Sequence, residues 1–333
     1  ENNTAYGKAI RPQIEYQDTN FDPHFAMYKL TGSNRGDVYM QNVSEKDHAE
    51  GKHVAFGDFE YVLENDDIYT LKAELKDLSG RTAEQTVVFS VNRFGTNYEF
   101  LGETKAIRGD YLQNPPVVRV REINVSGIDT DQSRVEVTHD TRVKSLDKNN
   151  DFKLEQVKGK NAWSETLYTL PKELFSADGY YRVFLTSKDA AGNLSQNTMD
   201  KKDAKREGTA ELNFAVDGTN PTASLIGLES GGVYLNPNLS VQVDVQDNMG
   251  LNTTTLAIDG EDYITWAKDK LEDYSFASFE YPTDGKAHAI SLTTTDLAGN
   301  KTVVYYDNVF VTKSWFKYIL KNPTLLNIAI MTI

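Results

Sequence analysis

Cysteine is absent from the 333 residues. Disulfides, thiolate metal sites and cysteine nucleophiles are thereby excluded. Histidine is scarce: His24, His48, His53, His139 and His288 are scattered without metal-ligand spacing and read as ordinary surface residues. No Gly-x-Ser-x-Gly, His-Glu-x-x-His or phosphate-cradling glycine loop occurs, so no catalytic residue and no enzymatic activity are expected. Basic residues are in deficit, 35 Lys and Arg against 49 Asp and Glu, for a net charge of −14. That balance argues against nucleic acid and anionic lipid as partners. No apolar run approaches the roughly 20 residues of a membrane-crossing helix.

Aromatics are plentiful, with 18 Tyr and 15 Phe, which suits strands. One pattern occurs three times: Asp66 to Gly80, Asp178 to Asn193 and Asp284 to Asn300. Each copy is an acidic turn, an alternating strand and an Asp-x-[Ser/Ala]-Gly turn. The closing residues Asp77, Asp189 and Asp296 lie 112 and 107 residues apart, the length of one β-sandwich. Stepping back by twos gives Leu75, Ala73, Leu71, Tyr69, then Ser187, Leu185, Val183, Tyr181, then Thr294, Leu292, Ile290, His288. Apolar middle positions alternating with wet ones predict an antiparallel, half-buried strand. Tyr69 and Tyr181 fit the tyrosine corner of Greek-key sandwiches. At each closing turn the Asp accepts backbone N–H bonds, and Gly80, Gly192 and Gly299 supply a positive φ. These six residues are expected to be structural.

Asp189-Ala-Ala-Gly-Asn193 and Asp296-Leu-Ala-Gly-Asn300, each closing a strand late in its unit, resemble bacterial Ig-like repeats of cell-surface proteins. Asp217-Gly-Thr-Asn-Pro-Thr-Ala-Ser-Leu225 resembles their inter-repeat linker. The resemblance covers most of residues 1–312 and carries no catalytic residues. Copy one departs from it, with Ser79 and Arg81 in place of Ala and Asn. The expected fold is all-β: three tandem Ig-like antiparallel sandwiches in an elongated array with a short, apolar, helical C-terminal tail. The expected boundaries are sandwich one at 1–97, a spacer at 98–116, sandwich two at 117–217, sandwich three at 218–312 and a tail at 313–333. A β-rich chain without disulfides fits a bacterial exterior better than an animal ectodomain.

Three features bear on ligands. Asp18 to Asp22 and Asp147 to Asp151 match the start of an EF-hand loop. They then place Pro23 or Phe152 where Gly belongs, and Lys29 or Lys158 where Glu belongs. No cofactor is expected, and calcium is the one ion these acidic turns leave open. Arg35-Gly36-Asp37 and Arg108-Gly109-Asp110 spell an integrin-recognised tripeptide that is also simply a good turn. In the tail, Trp315, Phe316 and Tyr318 interleave with Lys like a membrane-interface belt, ahead of an apolar run from Leu325. That run is read as the first half of a membrane anchor.

The expected function is a non-catalytic, monomeric stalk on the bacterial surface that displays an upstream module, with membrane contact through the tail alone. One alternative is an adhesin for a host extracellular protein or glycan, using the tripeptide turns or the aromatics Trp163 and Trp266. The other is an accessory region of a secreted glycoside hydrolase or protease.

Overall fold

The computed structural model describes residues 1–331 except 9, 21, 23, 24, 26, 43–53, 56–61, 160–161, 199–210 and 268–276. Pro23, His24, His48, His53, Phe56 and residues 200–207 lie outside the described residues.

The first sandwich runs β1 (Thr4–Tyr6), β2 (Gln13–Ile14), β3 (Met27–Gly32), β4 (Gly36–Asn42), β5 (Val54–Ala55), β6 (Asp67–Lys76) and β7 (Thr82–Val91). Its larger sheet has the order β1-β7-β6-β3-β4, with β1 parallel to β7. β2 pairs with β5. Alternation works in β6 as the period requires: Tyr69, Leu71 and Ala73 are buried while Thr70, Lys72 and Glu74 are not. These three join Tyr28, Leu30, Phe89 and Val91 in the core. Tyr69 donates its hydroxyl to the Asn65 carbonyl at 2.8 Å, which closes the corner before the strand.

The second sandwich contains β8 (Asn97–Phe100), β9 (Tyr111–Leu112), β10 (Val118–Asn124), β11 (Ile128–His139), β12 (Arg142–Ser145), β13 (Lys153–Lys158) and β14 (Ser164–Leu170). β15 (Gly179–Asp189), β16 (Leu194–Gln196) and β17 (Leu212–Val216) complete it. One sheet is β13-β14-β10-β8, the other β12-β11-β15-β17-β9 with β16 also on β15. Residues 98–116 are therefore not a spacer. β8 is an edge strand on β10, and β9 runs parallel to the last two residues of β17. These segments escape a sequence reading because strands of two to four residues carry almost no alternation, and their partners are distant in the chain.

The third sandwich contains β18 (Thr222–Ile226), β19 (Val233–Leu235), β20 (Ser240–Gln246), β21 (Leu251–Ile258), β22 (Glu261–Ala267), β23 (Ala277–Glu280), β24 (Asp284–Asp296) and β25 (Lys301–Thr312). Its sheets are β18-β20-β23 and β19-β25-β24-β21-β22. The core takes Val241, Val243, Leu256, Ile290, Leu292 and Trp266. The larger sheet thus has one order in all three sandwiches: a short parallel strand, the last strand, the repeat strand, then a hairpin. The repeat seen in the sequence is the central strand of that sheet.

Contacts divide the chain into two compact units. One is Glu1–Gly109 with Pro116–Phe175 and Tyr180–Phe214; the other is Asp110–Pro115 with Ser176–Gly179 and Ala215–Ile333.

The tail forms α1 (Trp315–Lys321) and α2 (Pro323–Met331). Ser314 caps α1 by accepting from Lys317 N. Pro323 has no N–H and cannot continue α1, but it suits the first turn of α2. No helix among the described residues is long and apolar enough to cross a membrane. α1 instead leans on the third sandwich, with Lys321 Nζ 5.6 Å from the centre of the Phe310 ring. Trp315 and Phe316 stay exposed, and Tyr318 is half-buried.

Candidate functional site

The three closing turns share one geometry. Asp77 N, Asp189 N and Asp296 N donate across the turn to the carbonyls of Arg81, Asn193 and Asn300 at 2.9, 3.0 and 3.1 Å. One carboxylate oxygen of each Asp accepts the backbone N–H four residues on, at 2.7, 2.8 and 2.8 Å. Gly80, Gly192 and Gly299 stand at φ +84°, +87° and +89°, where only glycine sits without strain.

Copies two and three then do something copy one cannot. The amide Nδ2 of Asn193 donates to the Asn92 carbonyl at 2.7 Å, and that of Asn300 to the Asp217 carbonyl at 2.7 Å. Asn92 and Asp217 are the first residues after the last strand of the preceding sandwich. Arg81 replaces this Asn in copy one and has no side-chain amide for the role. In copies one and two the acidic residue that opens the repeat grips the chain as it leaves. Asp66 accepts from the N–H groups of Arg93 and Phe94 at 2.6 and 3.0 Å and from Arg93 Nε at 2.9 Å. Asp178 accepts from Gly218 N at 2.8 Å, from Thr219 Oγ1, and from Asn248 Nδ2 at 3.1 Å. Burial pushes the Asp66 carboxyl up despite its bonds to Arg93. At Asp178 burial acts in the same direction, but the bonds from Gly218, Thr219 and Asn248 prevail and hold it below its ordinary value. Residues 92–94 and 217–219 are thus each held by a closing Asn at one point and an opening Asp at the next.

Beneath each clamp lies a polar cluster built from equivalent positions. In the second sandwich it is Asn92, Asn124 and Asp189. Asn92 Nδ2 donates to Asn124 Oδ1 at 3.0 Å, Ser126 Oγ at 2.8 Å and Asp189 Oδ2 at 2.9 Å. In the third sandwich the same places hold Asp217, Asp247 and Asp296, each offering an oxygen within 4.8 Å of the others. Asp217 and Asp296 are fully buried. Two carboxylates this close repel by about 3 kcal/mol at an effective dielectric constant near 20. Burial raises the Asp217 proton affinity, and the charges of Asp247, Asp296 and Asp178 add to it against the Thr219 N–H. These three oxygens could hold a cation. Sequence reading took Asp217 only as part of a linker and missed Asp247. Setting Val91-Asn92 against Val216-Asp217 would have exposed the change from amide to acid.

A second buried acid lies in the second sandwich. Glu122 is 1% exposed and accepts from Thr96 Oγ1 at 2.8 Å, from Tyr168 OH and from Ser187 Oγ. Burial outweighs these bonds and pushes its carboxyl up.

The other singled-out residues are engaged locally. Arg35-Gly36-Asp37 lies at the tip of the β3–β4 hairpin, with Gly36 at φ +71°. Arg35 Nη1 donates to Tyr69 OH at 3.3 Å, and Asp37 pairs with Lys29 at 2.9 Å. Arg108 Nε donates to the Glu211 carbonyl at 2.9 Å and Gly109 N to the Asn213 carbonyl at 2.7 Å. The Asp110 carbonyl accepts from Ala215 N at 2.9 Å. Asp151 is occupied by Asp147 N and Lys144 Nζ at 2.9 and 3.0 Å, and Asp18 by Asn20 N at 2.6 Å. Trp266 is a core residue; Trp163 is half-buried with Nε1 on Asp67 Oδ1 at 2.9 Å. His139 stacks on Tyr181, and His288 lies between Asp259 and Asp284.

No family model matches the chain, and no curated protein matches it. Among solved structures the chain is similar to a tetra-tandem repeat in the extending region of a large adhesion protein, at 14% identity and TM-score 0.34, over 94% of this chain and 72% of that one. It is similar to a solved chain from a 1.5-MDa bacterial ice-binding adhesin at 15% identity and TM-score 0.28, over 92% of this chain and 91% of that one. The fibronectin(III)-like modules of Clostridium thermocellum CbhA match at 14% identity and TM-score 0.29, over 65% of this chain and 94% of theirs.

Proposed function

We propose that this chain is a non-catalytic repeat region of a bacterial cell-surface protein, a stalk or spacer that displays another module of the same polypeptide. The observation that carries this reading is the double clamp on residues 92–94 and 217–219. A freely jointed linker lets a displayed module fold back towards its base, whereas side-chain bonds at two points restrict the linker's φ and ψ. The most conspicuous repeated chemistry here, opening Asp and closing Asp-Asn, is spent on holding chain to chain. The lack of cysteine and the net charge of −14 agree with life outside a bacterial cell.

The test is display on a bacterial surface with an epitope ahead of Glu1. Antibody access to the epitope is expected to rise with the number of sandwiches retained and to be indifferent to Arg35→Ala with Asp37→Ala. The exposed hairpin tip at Gly36 supports adhesion as a second reading. Binding of the cells to matrix protein or glycan that disappears in the Arg35/Asp37 variant would replace the spacer reading with that one.

A further inference from the structure

We propose that Asp217, Asp247 and Asp296 form a calcium site, a role that the second sandwich fills with an amide group. The inference does not depend on the spacer reading. Its first support is two orphaned atoms. Asp217 Oδ2 and Asp247 Oδ1 are buried and have no hydrogen-bond partner. Their sister oxygens are used: Asp217 Oδ1 accepts from Thr219 N at 3.2 Å, and Asp247 Oδ2 accepts from Met249 N and Gly250 N at 2.9 and 2.6 Å. Each carboxylate is therefore aimed by backbone N–H groups on one side and left open on the other. Native proteins rarely leave buried polar atoms in that state. One oxygen of each of the three acids lies within 4.8 Å of the others, so the two orphaned atoms belong to carboxylates that already stand together.

The second support is an internal control. In the second sandwich the corresponding space is closed by protein alone. The Nδ2 group of Asn92 carries partial positive charge and touches both the Asn124 and the Asp189 oxygen. Asn124 Nδ2 adds bonds to Thr96 Oγ1 at 2.9 Å and to Asp189 Oδ2 at 3.2 Å. One negative charge meets several amide hydrogens and the account balances. In the third sandwich both amides are acids, so two amide donors are lost and two carboxylates gained at the equivalent positions. Asn300 still holds Asp296 as Asn193 holds Asp189. A cation restores what the amide hydrogens supplied.

The donor set selects the ion. It is all carboxylate oxygen, without nitrogen or sulfur, which favours hard cations over zinc or copper. Its three members come from three separate segments of the chain. Calcium accepts six to eight oxygens in flexible geometry, whereas magnesium demands a near-ideal octahedron.

The experiment is titration of the chelator-stripped full chain with calcium chloride and separately with magnesium chloride, followed by calorimetry. One calcium ion per chain is expected at this site. The midpoint of the third sandwich is expected to rise by roughly 10 °C when free calcium is about 100 times its dissociation constant. Magnesium is expected to bind at least tenfold more weakly. Asp217→Asn with Asp247→Asn copies the second sandwich and is expected to abolish the calcium response while melting in chelator no lower than the parent. The converse pair, Asn92→Asp with Asn124→Asp, is expected to add a second ion. A parent midpoint indifferent to calcium overturns the proposal. So does parent-like calcium stoichiometry and affinity in the Asp217/Asp247 double variant, and equal affinity for magnesium overturns the choice of ion.

Discussion

Replacing Asp189 by Ala tests whether the closing turn is a structural keystone. Its carboxylate accepts four bonds: from Asn193 N, Asn193 Nδ2, Asn92 Nδ2 and Asn124 Nδ2. Not all four donors are stranded by its loss. Asn193 Nδ2 keeps the Asn92 carbonyl, Asn92 Nδ2 keeps Asn124 Oδ1 and Ser126 Oγ, and Asn124 Nδ2 keeps Thr96 Oγ1. The Asn193 N–H loses the carboxylate outright, which costs about 1–3 kcal/mol for a buried donor. Three further charge-assisted bonds are weakened rather than orphaned, and together these give roughly 2–4 kcal/mol. A domain holds only about 5–15 kcal/mol, so the loss is a large fraction. At about 5 °C per kcal/mol the midpoint falls by roughly 10–20 °C. Calorimetry of the full chain in chelator measures it. Asp189→Asn falls between parent and Ala, because it keeps one acceptor but turns an NH₂ towards other donors. A shift below about 2 °C for Asp189→Ala would refute the reasoning and return these turns to the class of ordinary exposed loops.

Three further outcomes follow from the same geometry. A Cβ added at Gly192 meets no neighbouring atom within 4 Å, so the main cost of Gly192→Val is backbone strain at φ +87°, about 1–3 kcal/mol, read as an earlier melt in calorimetry. Glu122 has its carboxyl raised in the fold, so its favourable contribution is present at acid pH and is lost as pH rises through the folded value. Glu122→Gln is expected to flatten that part of the stability–pH curve, measured by urea unfolding between pH 4 and pH 8; an unchanged slope counts against it. Truncation after Thr312 removes both tail helices, in which Trp315 and Phe316 are exposed, and is expected to cost about 1 kcal/mol or less. A collapse of the third sandwich in thermal melts would show that the tail completes its core.

Much of this protein is written locally in its sequence. Alternation at Tyr69, Leu71 and Ala73, at Tyr181, Val183 and Leu185, and at Ile290 and Leu292 gave the central strand of each larger sheet, because a strand's two faces follow from period two alone. The closing Asp and the glycine three residues later gave the turn for the same reason: a carboxylate four residues from its N–H and a positive φ are short-range matters. What the sequence did not give was every pairing in which partners lie far apart. β8 and β9 are too short to show a period and exist only because β10 and β17 present free edges to them. In the tail the aromatic belt and the apolar run fall in two short helices divided at Pro323. The cluster at Asp217, Asp247 and Asp296 is drawn from three separate segments that only the packed sandwich brings together. Tertiary structure decided that site, because like charges assemble only where the rest of the fold compels them to.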